Sequence, residues 1–155
     1  MPKHWYDDQA ALDALSESLV DLIAMFPKRM VRVDELVHTF RMPLSHIQIL
    51  ALVSHRDLSI GELSGMLGVA KPNITPLVDA LNSRGLVERV RSDRDRRIVQ
   101  VHILPAGAEC LEEVRKVVKR QICDWPASFS RNEARNLGRS LDTLIDTMNR
   151  MDGIS

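Results

Sequence analysis

Six arginines stand between positions 84 and 102 (Arg84, Arg89, Arg91, Arg94, Arg96 and Arg97) against three acids, Glu88, Asp93 and Asp95. A guanidinium is always charged and donates in a planar fork, which suits phosphate and base-edge acceptors rather than proton transfer. Shortly before them come Lys71, Asn73 and Thr75, polar side chains able to hydrogen-bond to base edges or phosphates. The whole chain is neutral, with 21 basic and 21 acidic residues. The local excess, and not the net charge, therefore argues for a polyanionic partner. Taken alone, the polar run 92–97 reads as nothing more than a solvated hairpin tip.

The elements around these residues change that reading. Ile74, Leu77, Val78 and Leu81 recur at the spacing of one helical face, and Gly85 stands where a helix stops. Residues 86–91 and 98–103 then alternate apolar and polar, the pattern of two strands joined through the arginine-loaded tip. Upstream, Ser59-Ile60-Gly61-Glu62 is a capping box that opens a helix ending near Gly68. With the helix that follows from about Lys71 it makes a helix-turn-helix. A helix followed by such a ribbon outlines a winged helix, which sets the helix in the DNA major groove and the tip in the neighbouring minor groove. Pro76 leaves the start of that helix open. A start at Lys71 makes Pro76 delete an internal hydrogen bond, whereas an N-cap at Asn73 puts Pro76 in the first turn at no cost.

Leu77-Val78-Asp79-Ala80-Leu81, Arg84-Gly85-Leu86-Val87-Glu88-Arg89 and Asp93-Arg94-Asp95-Arg96-Arg97 together resemble the signature of MarR-type transcription regulators, and the resemblance extends over most of the chain. It implies a homodimeric, ligand-responsive protein that binds double-stranded DNA at a pseudo-palindromic operator, as a rule a repressor. By the same resemblance Lys71, Asn73 and Thr75 contact DNA, Arg97 enters the minor groove, and Asp95 pairs with Arg97 and orients it. Arg94 and Arg96 meet phosphates or pair with Asp93, while Arg84 and Arg89 are either phosphate contacts or surface ion-pair partners. Small aromatic or lipophilic anions bind such proteins between the dimerisation helices and the winged helix. Here that junction draws on His38, Phe40, Arg41 and Met42, with apolar contact from Phe40 and Met42 and a carboxylate partner in Arg41 or His38. The chain departs from the family at Pro105, where threonine is usual.

At 155 residues the chain is one domain or a closely knit pair. Hydrophobic residues at 45% and charged residues at 27% exclude a disordered chain. No apolar run approaches the roughly 18 residues of a membrane span, and the N-terminus has no signal core. A cytoplasmic, nucleoid-associated protein with no membrane partner is expected. Cys110 and Cys123 are expected to be free thiols that pack as small apolar residues. Oxidation of either is a competing switch.

A helix from about Asp7 to Phe26, with Pro27 kinking it or opening a second one, leads to a helical stretch from Arg29 to Thr39. Leu44-Ser45 offers a cap for the short apolar helix that follows. Beyond the wing, residues from Ala106 to about Asp124 read as a helix, and the capping box Ser130-Arg131-Asn132-Glu133 opens a last one. The expected architecture is mainly α with a small β-hairpin wing. A winged helix-turn-helix at 43–104 is flanked by dimerisation helices at 1–42 and 105–155. The apolar stripes of the flanking helices have no other partner in so short a chain, so they are expected to pack on each other and on a second subunit.

For an enzyme the sequence offers no phosphate loop, nucleophile elbow or H-E-x-x-H, and no cofactor is expected. A metal sensor would draw on His38 or His46 with Asp34 or Glu35, a spacing that is not diagnostic. A helical adaptor using its winged helix for protein contacts is the alternative, and it would lack the steep salt dependence of phosphate binding.

Overall fold

The computed structural model describes residues 7–92, 95 and 97–151. Seven α-helices and three short strands follow one another: α1 Gln9–Met25, α2 Val33–Phe40, α3 Leu44–Val53, β1 Leu58–Ser59, α4 Ile60–Leu67, α5 Lys71–Ser83, β2 Val87–Arg91, β3 Val99–Ile103, α6 Pro105–Cys123 and α7 Arg131–Met151. The sheet is antiparallel in the order β1-β3-β2, with Leu58 opposite Val101 and Glu88 opposite His102. This mainly helical fold with a small wing is the class expected from the sequence. Strand β1 was not expected.

Both expected capping boxes form. The Ser59 hydroxyl accepts from the Glu62 N–H while the Glu62 carboxylate accepts from the Ser59 N–H, and Ser130 and Glu133 repeat the exchange at α7. Both glycine stops form as well. Gly68 and Gly85 take φ of +62° and +69°, a region open to glycine at little cost. In each case the residue after the glycine donates back to a carbonyl of the last turn.

Four local expectations are corrected. Helix α3 begins at Leu44 itself with Pro43 at the cap position and no side-chain cap, so Ser45 is not used. Pro27 lies in a π-helical turn, Phe26–Met30, closed by the Val31 N–H on the Phe26 carbonyl. Helix α2 consequently starts at Val33 instead of Arg29. Pro105 is the first residue of α6, a position where a missing N–H has no partner to lose.

The core gathers α3, α4, α5, α6 and the sheet around Ile49, Leu50, Leu63, Ile74, Val78, Leu81, Val87 and Val101, all fully buried. Helix α6 is tied to α2 by Gln121, which is 2% exposed. Its amide accepts from the Arg32 backbone N–H at 3.0 Å and donates to the Arg32 carbonyl at 3.3 Å and to the Glu35 carboxylate at 3.0 Å. Arg32 in turn pairs with Glu35 and Asp124. The outermost helices differ from these. Neither α1 nor α7 has a buried residue, and their stripes leave Ile23 at 74% and Ile145 at 49% exposure.

His46, in the first turn of α3, is buried and its Nδ1 has no hydrogen-bond partner among the described residues. Burial, and secondarily the Arg84 charge, lower its pKa below the ordinary value. The folded chain thus binds a proton at His46 less readily than the unfolded chain, which takes it up below about pH 6.5. Stability should fall as pH drops below about 6.5, by at most about 1.4 kcal/mol per pH unit from this group. Urea midpoints at pH 7.5 and 5.5 check this; His46→Leu should show a smaller pH difference, and an equal one would mean that other groups set the slope.

Candidate nucleic-acid interface

Helix α5 begins at Lys71, with Ala70 before it and the Asn73 N–H already donating to the Ala70 carbonyl at 2.8 Å. Asn73 is thus not the N-cap, and Pro76 lies inside the helix. Ile74, Val78 and Leu81 turn one face of α5 into the core. The other face carries Pro72, Asn73, Pro76 and Asp79 exposed, with Thr75 half-buried beside them. Lys71 is exposed, and its side chain lies over α4, since a Cβ at Gly61 would sit 3.4 Å from its Nζ. The Thr75 hydroxyl is turned back to the Lys71 carbonyl at 3.4 Å, a bond that threonine makes readily within a helix.

The wing rises from the end of α5. Arg84 caps that helix and is exposed. Arg89 on β2 forms an ion pair with Asp79 of α5 at 2.6 Å, so of the two readings open for Arg89 the ion pair is the one this structure contains. Near the tip, the Asp95 carboxylate accepts from the Arg97 backbone N–H at 3.0 Å, and the Asp95 carbonyl accepts from the Ile98 N–H at 2.9 Å. Asp95 thereby shapes the turn that carries Arg97, whose side chain is exposed. The Ser92 N–H donates to the Ile98 carbonyl and joins the two arms below the tip. Asp93, Arg94 and Arg96 lie outside the described residues. At the base, His102 of β3 meets Asp57 through Nδ1 at 2.8 Å. This pins the loop before β1 to the wing.

The α2–α3 junction, where a ligand was expected, has mixed character. Met42 is buried, Phe40 is half-buried against the core, and His38 and Arg41 are exposed. Arg41 adopts the left-handed conformation at φ 49°, which is uncommon for a residue other than glycine. Two surface cavities lie elsewhere. One lies against α6 and includes Ser54 and His55; the other, of about 590 Å³, lies under the turn between α6 and α7 beside Trp125 and Phe129. Of the residues weighed for a metal, Glu35 is occupied by Arg32 and Gln121, and His46 faces the core.

Cys110 and Cys123 are free. Cys110 packs at the edge of the core, where burial raises its thiol pKa despite the opposing Arg84 charge, and a thiol held protonated is a poor nucleophile. Cys123 is exposed and does not pack as expected.

The proline-bearing face of α5 was not singled out from the sequence. Its signal was Pro72 and Pro76 at i and i+4, a spacing that shares one helical face once the helix is known to start at Lys71.

Comparison with known proteins bears on this geometry. A family model described as MarR family matches residues 42–98. The uncharacterized HTH-type transcriptional regulator YsmB of Bacillus subtilis is 40% identical over 96 residues, 61% of this chain and 64% of its own length. The transcriptional repressor MprA of Escherichia coli K12 is 31% identical over 111 residues, 68% of this chain and 62% of its own length. The chain thus spans less than two thirds of the length of these relatives. The solved structure of a MarR family protein from Bacillus stearothermophilus superposes with a TM-score of 0.68 at 30% identity, covering 90% of this chain and 97% of that one. A match of that identity over nearly the whole relative, carried by the same winged helix, shows that the chain belongs to the MarR family of transcription regulators.

Proposed function

We propose that this protein is a cytoplasmic, nucleoid-associated repressor that binds a pseudo-palindromic DNA operator as a homodimer. The observation that carries the proposal is one continuous surface: the exposed face of α5, with Asn73 and Asp79, continues through the Asp79–Arg89 pair into a wing that presents Arg97. An α-helix fits the major groove, so α5 lies there and the wing reaches the adjacent minor groove, where negative potential draws guanidinium groups. Asn73 and Thr75 meet base edges, and Lys71, Arg84, Arg94 and Arg96 meet phosphates. Asp95 orients the Arg97 turn. The flanking segments 1–42 and 105–155 supply the two-fold contact that places two such surfaces about one DNA turn apart. Similarity to a protein named a transcriptional repressor supports repression over activation.

The same proposal assigns control to a small aromatic or lipophilic anion at the α2–α3 junction, with Phe40 and Met42 against its apolar part and Arg41 or His38 on its carboxylate. Such a ligand acts only by binding the DNA-incompetent dimer better than the competent one.

The test is a salt-titrated binding assay against duplexes recovered from the host genome. Affinity should fall steeply with salt, in proportion to the phosphates neutralised. Arg97→Ala should weaken binding by about 1–3 kcal/mol if the guanidinium reads the minor groove. A flat salt response would remove DNA from the account, and a folded Arg97→Ala protein of unchanged affinity would remove the wing.

A further inference from the structure

Pro76 is the sixth residue of α5, deep enough that its missing N–H leaves the Pro72 carbonyl without the donor a regular helix supplies. A proline so placed is costly, and its ring is exposed, so core packing does not account for it. Pro72, one turn earlier on the same face, is exposed too. Thr75 stands beside them with its hydroxyl proton turned to the Lys71 carbonyl; the oxygen can still accept, and the methyl adds apolar surface next to the two rings. In the middle of a surface otherwise built from Lys, Asn and Asp, these three residues make an apolar patch.

We propose that Pro76, with Pro72 and the Thr75 methyl, reads the 5-methyl group of a thymine in the major groove. This rests on the DNA-binding reading above and deepens it by naming a base. The thymine methyl is the apolar group that base pairs present in the major groove, and it is recognised by contact with small apolar surface. Prolines suit the task because they add no donor and lose no side-chain freedom on contact. In a symmetric dimer the contact occurs once in each half-site.

The test uses a duplex selected from a random-sequence pool by the full-length protein. Each thymine is then replaced by deoxyuridine, which deletes the methyl and keeps the pairing edge. One thymine per half-site should prove sensitive, with affinity falling roughly fourfold per methyl, the transfer value of one buried carbon. In Pro76→Ala, which restores the helix donor and so does not threaten folding, the same replacement should change affinity less than about twofold if the methyl contact is the ring's own. Tight binding with no sensitive thymine would overturn the proposal while leaving DNA binding intact. A full penalty persisting in both Pro76→Ala and Pro72→Ala would overturn it equally. Recovery of no duplex at all would bring down the DNA-binding reading and this one with it.

Discussion

Gly107→Ala is expected to lower the stability of the fold by roughly 3 kcal/mol, the upper range of overpacking in a close-packed interior. Gly107 lies buried in the first turn of α6. A Cβ there would overlap the Leu86 carbonyl oxygen and sit 2.9 Å from Ile103 Cγ1. The Leu86 oxygen cannot withdraw, because it accepts from the Leu104 N–H at 3.0 Å at the base of the wing. Alanine is intrinsically the better helix former by about 1 kcal/mol, so propensity alone predicts the opposite sign and the contact must win. The urea midpoint decides between them. A Gly107→Ala protein as stable as the parent would show that α6 can slide off the sheet at no cost.

Ending the chain after Pro126 should have the larger effect on DNA binding. The α7 stripe exposes Leu144, Ile145, Met148 and Met151, and α7 contributes no residue to the core of its own chain. Apolar surface of that extent on a single helix is characteristic of an interface. Without α7 the expected product is a monomer or an aggregate. Losing the tethered second half-site should cost about a hundredfold or more in operator affinity. Sedimentation velocity beside a binding titration gives both readings. A well-behaved dimer with undiminished affinity would place the subunit contact outside α7.

Local rules made much of this fold legible. The capping boxes at Ser59 and Ser130 and the stops at Gly68 and Gly85 are decided within five or six residues, and all four appear where the sequence puts them. Strand β1 was invisible because two residues carry no periodicity; Leu58–Ser59 becomes a strand only through pairing with β3. The start of α5 was open for a different reason. One frame cost Pro76 an internal hydrogen bond and the other did not, and the chain takes the costlier one, with α5 starting at Lys71. The Arg89–Asp79 pair joins residues on separate elements, so spacing along the chain could not tell it from a phosphate contact. The character of the Arg97 site was legible only through its neighbours, since an arginine run by itself is solvated surface.

The Gln121 clasp has a mechanical consequence. Helix α6 is a rod of 19 residues, about 28 Å long. At its front end it is wedged under the Leu86 carbonyl at Gly107, and near its far end it is bolted through Gln121 to both backbone polar groups of Arg32. A rod fixed at both ends does not absorb a displacement; it passes it on. A tilt of α2, whose C-terminal end carries the left-handed Arg41, would therefore be felt at the root of the wing as a torque. In that sense α6 is the crankshaft of the molecule, and Gln121 is its coupling pin.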